Sequence, residues 1–158
     1  LVIPIMSDNS YKLDTKFGTA KEFKERIRDI SKRDIIHTIQ QAEPIGPKKL
    51  TDVMVVAPAS SNTIAKLTNG INDTPVTMAV KSHLRNEMPV VIAISTNDAL
   101  SGSASNIGVL LNRKHLYFVP FKQDNPITKP RSIVFDPKYF VKTIEYALDG
   151  KQIQPILS

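Results

Sequence analysis

Ser60, Ser61, Asn62 and Thr63 follow one another in the stretch "VMVVAPASSNTIAKLTNGI", Val53 to Ile71. Together they offer three hydroxyls and one amide, groups that both donate and accept hydrogen bonds. Ala59 and the two serines are small, so a flat ring can approach the backbone closely. Pro58 holds its backbone extended and lacks a donor. Thr63 stands near an expected helix start, where backbone N–H groups favour anions. A plain Ser-rich helix cap would produce the same pattern, and from these residues alone both readings stand. A second run of the same character, Ser95, Thr96 and Asn97, occurs in "PVVIAISTNDALSGSASN".

Other chemistries find little support. The chain has no Cys, which excludes disulfides, thiolate catalysis and Cys-ligated zinc. His37, His83 and His115 are its only histidines, and no two are spaced to share a helix face, so no metal site is expected. No G-x-G-x-x-G, P-loop or G-x-S-x-G motif occurs. The carboxylates are scattered, with no pair suited to acid–base work.

Both polar runs end apolar runs, and this organises the rest. Asp52–Ala57 and "PVVIAIS" are continuous apolar stretches of the kind buried on both faces of a parallel sheet. Val2–Met6, Asp34–Ile39 and "LYFVP" read as further strands, with "SDNSYKLDTKFG" and "QAEPIGPKKL" as loops. Thr19 and Glu22 form a capping-box pair, and Phe23, Ile27 and Ile30 lie on one face of the helix they open. Ser60 or Ser61 caps a helix facing inward through Ile64, Leu67 and Ile71. A short helix before Pro89 and one through Ile107, Leu110 and Leu111 follow. Asp136 and Pro137 start the last helix, which packs Phe140, Ile144, Ala147 and Leu148 and ends at Gly150. The alternation predicts a single domain over 1–158. Its fold class is α/β, a Rossmann-like open, mostly parallel sheet flanked by helices on both faces. Such sheets bind ligands where strand carboxyl ends meet, which is where both polar runs fall.

The 158 residues suffice for one core, and 41% hydrophobic with 23% charged residues is an ordinary globular composition. No apolar run is long enough to span a membrane. The net charge is +6, but the densest basic stretch, "KEFKERIRDISKRD", interleaves six basic with four acidic residues. That is a salt-bridged helix face, so no nucleic-acid partner is expected. "LVIPIMS" has no initiator Met and none of the marks of a signal peptide; a natural N-terminal segment, with the first strand and its phosphate loop, is expected to precede Leu1.

The segment "APASSNTIAKLTNGI" resembles the "PASANT" stretch of flavoproteins related to phosphopantothenoylcysteine decarboxylases and flavin prenyltransferases. Within that superfamily the likeness is strongest to the family of dipicolinate synthase B subunits from endospore-forming bacteria. It runs through "DTKFG", "IIHTIQQAEPIGPKKLTDVMVVAP", "SSNTIAKLTNGINDTPVTMAVKSHLRN", "PVVIAISTNDALS", "YFVPFKQDNP" and "GKQIQP". The resemblance implies FMN as cofactor, with Ser7, Pro58, Ala59, Ser60, Ser61, Asn62, Thr63, Ser95, Thr96 and Asn97 around it. It offers Asn97, which aligns with the Asn of the decarboxylases' "PAMNxxMW", and His37 as catalytic candidates. The Pro, Met and Trp of that motif are absent here, which argues against cysteinyl-peptide decarboxylation. The implied partner is the synthase's other component, the A-type nicotinamide-dependent dehydrogenase. The implied product is pyridine-2,6-dicarboxylate, made from a dihydrodipicolinate-type intermediate in the cytoplasm of the sporulating mother cell. Lys16, Lys81 and Arg85 are partners for the dicarboxylate on charge alone. A homo-oligomer, a trimer or an assembly of trimers, is also implied. A stand-alone flavoenzyme and a non-catalytic activator of the dehydrogenase remain as alternatives.

Overall fold

A computed structural model describes Leu1–Ser158. Its centre is strand β2, Val90–Thr96. Val90, Val91, Ile92, Ala93 and Ile94 are all at 0% exposure, because both faces of this strand are covered. β1 (Met54–Ala59) and β3 (Leu116–Phe118) flank it in parallel, with Val56 opposite Ile92 and Ile92 opposite Phe118.

Side chains alternate across the sheet, so the β-branched run of β2 feeds two cores at once. Val90, Ile92 and Ile94 join Val56, Phe118, Ile64, Leu67, Val80, Ile107 and Leu110 in the larger one. The helices on that face are α4 (Ser61–Asn69), α5 (Pro75–Leu84) and α6 (Ala104–Leu111). Val91 and Ala93 face the other way, meeting Val119 and Ala147, with Phe140 and Ile144 packed alongside. Ala147, Phe140 and Ile144 belong to α7 (Phe140–Leu148), reached through a 3₁₀ turn in which the Asp136 side chain accepts from Lys138 N–H. The expected α/β architecture is therefore observed, an open sheet with helices on both faces.

The polar stretch after β3 adds an antiparallel hairpin that the hydrophobic pattern does not announce. β4 (Phe121–Asn125) and β5 (Lys129–Phe135) pair with each other, and β5 also pairs with the carboxyl half of β2, Ser95 opposite Val134 and Thr96 opposite Ile133. β3 and β5 thus divide one edge of β2 between them. Asn125 closes the hairpin by accepting from Ile127 and Thr128 N–H through Oδ1 (3.0 and 2.9 Å).

Other expectations need correction. The strands expected at Val2–Met6 and Asp34–Ile39 reduce to one parallel bridge between Ile5 and Ile36. Met6 N–H donates to Ile36 and Ile36 N–H to Pro4, both at 2.9 Å. Leu1 and Val2 stay exposed, and Thr38 instead caps a helix. The expected loop after Ser7 contains α1 (Asp8–Lys12), capped by Ser7. "QAEPIGPKKL" carries the end of α3 (Ile39–Ala42) and a 3₁₀ turn, with Ala42 and Ile45 in the core. The capping box of α2 (Ala20–Ser31) is present as read, but Ile30 is 78% exposed and Phe23 and Ile27 are only half-buried. Ile71, Leu111 and Leu148, also expected inside, are largely exposed because they fall at or beyond their helix ends.

The C-terminal end of α5 is fastened by buried polar contacts. Ser82 Oγ donates to Glu43 O and accepts from Gly46 N–H, both at 2.8 Å. A Cβ at Gly46 would lie 2.0 Å from the Ser82 carbonyl oxygen, so only glycine fits. His83, 1% exposed, bridges Thr51 Oγ1 (3.3 Å) and Pro89 O (3.1 Å). Burial holds its pKa below the ordinary 6.5, against the Pro89 hydrogen bond and the Asp52 charge. The unfolded chain therefore takes the proton first as pH falls. The stabilisation from neutral His83 is complete above that value and declines below it. His83→Gln keeps a donor and an acceptor but cannot titrate. Thermal melts at about pH 7.5 and 5.5 are expected to show a smaller drop for the variant than for the native chain.

Candidate functional site

The register that pairs Ala59 with Ile94 makes the loops leaving β1 and β2 neighbours at the carboxyl edge of the sheet. Pro58 is exposed at this edge, as the ligand reading requires. Ala59 is not: the register shift between Val56 and Ala59 breaks the alternation of β1 and brings Ala59 into the larger core beside Val56, where it is fully buried and supports the loop from beneath.

The helix-cap reading of Ser60–Thr63 can be tested directly against the other helices. Ser7, Thr19, Thr38 and Thr74 each sit at an N-cap and accept from the third helical N–H. Ser60 holds the N-cap position of α4 in the same extended conformation, yet its hydroxyl caps nothing and lies 3.4 Å from Thr63 Oγ1. The N–H groups of Ser61, Asn62 and Thr63 have no acceptor in the protein. The Ser61 hydroxyl and the exposed Asn62 amide are likewise free. Orphan donors at a helix N-terminus carry about half a positive charge. With the adjacent hydroxyls and amide, they suit a ligand that has an anionic group and a polar, hydrogen-bonding chain. This donor-rich set of small side chains fits the polar parts of an FMN.

The second polar run is largely used internally. β5 occupies the backbone edge of Ser95 and Thr96. Thr96 Oγ1 donates to Asp98 Oδ1 at 2.6 Å and Ser103 Oγ to Asp98 Oδ2 at 3.0 Å. The Asp98 carbonyl accepts from Ser101 and Ser103 N–H. Thr96 is thus a loop-builder, and its hydroxyl is not free for a ligand. Half-buried Ser95 lines the edge, while exposed Asn97 has its Oδ1 held by Ser132 Oγ at 3.3 Å and its amide nitrogen free. Sequence reasoning misses Asp98; its signal is the hydroxyl pair Thr96 and Ser103 on either side of one carboxylate. The Thr96 hydrogen bond, helped by Ser103, holds its carboxyl below the usual range despite partial burial.

Ser7 and His37 share the end of the Ile5–Ile36 bridge, since that pairing is parallel. The Ser7 hydroxyl is occupied in capping α1. His37 stacks on Tyr11 with ring centroids 4.1 Å apart, and Lys24 covers the Tyr11 ring. His37 Nδ1 lies 3.2 Å from Ile35 O, which places the proton on Nδ1 and leaves Nε2 with a free lone pair. No carboxylate backs this imidazole. Lys81 and Arg85 do not belong to this edge. They stand at the C-terminal end of α5, beside Pro89 and the amino end of β2. Lys16 is exposed before α2, over the Phe17 ring. No cluster of metal-ligating side chains exists. Two cavities of about 280 and 290 Å³ adjoin the hairpin, and of the candidate residues only Asn97 lines either.

Comparison with known proteins identifies the family. The family model described as Flavoprotein matches residues 2–132. The chain is 43% identical over 156 residues to the dipicolinate synthase B subunit of Bacillus subtilis (strain 168), covering 99% of this chain and 78% of that protein. The crystal structure of the dipicolinate synthase B subunit from Bacillus halodurans C matches with a TM-score of 0.91 and 44% identity, over 99% of this chain and 80% of that one. The FMN-dependent cysteine decarboxylase SpaF matches with a TM-score of 0.60 at 21% identity, over 82% and 73% of the two chains, a likeness of fold.

Asp98 gathers the loop between β2 and α6, so Asp98→Ala is expected to destabilise the chain by about 1–3 kcal/mol by removing an ionised acceptor from two hydroxyls. Urea unfolding measures the loss. Because the folded carboxyl titrates below its unfolded counterpart, the difference between variant and native chain should persist at neutral pH and shrink only in acid, as Asp98 itself is protonated.

Proposed function

The chain belongs to the flavoprotein family, and from that premise we propose that it acts as the B-type subunit of a dipicolinate synthase. The observation that carries the reading is the uncapped first turn of α4. It lies in a chain that is like dipicolinate synthase B subunits along 99% of its length. The other extended N-caps, Ser7, Thr19, Thr38 and Thr74, all bond their own helix start, whereas α6 and α7 continue from turns and have no side-chain cap; Ser60 is the extended N-cap whose hydroxyl is left over.

In this reading the domain 1–158 binds FMN. Ser60, Ser61, Asn62 and Thr63 hydrogen-bond the flavin or its ribityl chain, and Pro58 and Ser95 lie alongside. Bound flavin supplies a two-electron acceptor. Conversion of a dihydrodipicolinate-type compound to pyridine-2,6-dicarboxylate removes two electrons and two protons. Asn97, its amide oriented by Ser132, holds the substrate, and His37 Nε2 is the base positioned to take a proton. A nicotinamide-dependent dehydrogenase subunit is the partner. The half-covered apolar face of α2, with Ile30 exposed, supports assembly into a homo-oligomer. No helix is long and apolar enough to cross a membrane, and the proposed location is the cytoplasm of the mother cell. Relatives that decarboxylate cysteine share the fold at 21% identity only, which leaves the stand-alone decarboxylase reading with less support.

Two measurements test this. Ser60→Asp supplies the missing cap. It is expected to raise stability by about 0.5–1 kcal/mol while weakening FMN binding roughly tenfold or more, read by flavin fluorescence quenching. A native chain without affinity for FMN near about 10 μM, or a variant that binds FMN unchanged, would remove the cofactor assignment. Dipicolinate formation is then measured with the dehydrogenase alone, with this chain alone and with both. The expected result is product only, or at least tenfold faster, with both. Equal rates with and without this chain would sink the synthase reading.

A further inference from the structure

The cavity of about 290 Å³ beside the turn end of β5 is lined by Asn97, Lys129, Pro130 and Arg131. Its polar groups are one-sided. The single side-chain acceptor among them, Asn97 Oδ1, is taken by Ser132 Oγ at 3.3 Å, and Ser132 is buried at 3% exposure. That bond turns the Asn97 amide N–H groups outward. Two of the backbone acceptors are occupied as well: Pro130 O receives Gln123 Nε2 (3.0 Å) and Arg131 O receives Leu100 N–H (3.0 Å). Lys129 is neutralised by Asp124 at 2.6 Å. Arg131 forms no ion pair and its guanidinium donates to nothing in the protein. The cavity therefore presents an uncompensated planar cation beside an amide donor, and no carboxylate lines it.

We propose that Arg131, with the Asn97 amide, forms the subsite for one carboxylate of the small aromatic dicarboxylate, and that Arg131 is the residue selecting a diacid. This rests on the synthase reading above and adds to it a residue that the sequence motifs did not single out. A guanidinium meets a carboxylate through two parallel N–H···O bonds, which fixes orientation as well as charge. The location suits the role: Asn97 follows directly on β2, whose carboxyl end adjoins the uncapped turn of α4. Arg131 is held at the same place by its backbone bond to Leu100.

Pyridine-2,6-dicarboxylate and pyridine-2-carboxylate, titrated calorimetrically into the full chain loaded with FMN, test the subsite. The native chain is expected to prefer the diacid. Arg131→Gln should weaken diacid binding roughly ten- to hundredfold and erase the preference. Arg131→Lys, which keeps the charge without the fork, should fall between. Lys129→Gln should change the diacid affinity by less than about threefold, because its charge is already balanced. Unchanged diacid affinity in Arg131→Gln overturns the subsite, as does a native chain without preference for the diacid. Binding is read without turnover. Failure of the two-subunit assay would therefore remove the synthase reading and still leave this measurement to decide the site.

Discussion

Everything in this fold is referred to β2. Five successive side chains at zero exposure mean that the strand lies in two cores simultaneously, and its backbone is bonded on both edges. One edge is given wholly to β1. The other is divided, its amino half to β3 and its carboxyl half to β5. A strand held in this way cannot slip by one residue without turning Ile92 and Ile94 out of the larger core and into the space packed by α7. Its register is fixed by two independent packings, and through the pairing of Ala59 with Ile94 that register sets where the two polar loops emerge.

The two loops resemble each other in composition and differ in what they do. Around Asp98 the hydroxyls of Thr96 and Ser103 turn inward onto one carboxylate, and the loop becomes a self-contained structure. Around Ser60 no carboxylate is present, and the hydroxyls, amide and helix N–H groups are left facing outward. One acidic residue separates a loop that satisfies itself from a loop that leaves its hydrogen bonds to be met from outside. Small polar residues after a core strand do not by themselves indicate which of the two is formed.

Much of the fold is legible in the sequence because the central strands are extreme. "VVIAI" is buried on both faces and reads so; the capping box of α2 and the Asp136–Pro137 start also announce themselves. The hairpin does not, since four of the five residues of β4 are exposed and only Phe121 carries the apolar signal. α1 has no buried residue at all, so no periodicity betrays it, and its start depends on a single hydroxyl from Ser7. Lys81 and Arg85 are drawn toward the site by charge alone. The direction of α5, antiparallel to the strands it connects, carries them to the opposite edge. Ala59 shows the same limit at the scale of one residue, since a motif marks a segment while the irregularity between Val56 and Ala59 decides which of its members faces outward. The missing cap at Ser60 is a matter of rotamer and spacing that no residue type encodes.

β4 is the outermost strand of the sheet, and its free side has a particular construction. The last residues of the chain pass alongside Phe121, whose N–H donates to Ile156 and whose carbonyl accepts from Ser158. Beyond that short covering the strand continues as Lys122, Gln123 and Asp124, all exposed. Unpaired strand edges are templates on which other chains nucleate β-aggregation, and charged side chains discourage such stacking. The apolar part of this edge is sheathed by the C-terminal residues and the remainder is charged. The hairpin can thus extend the sheet beyond β2 without giving a crowded cell an adhesive border.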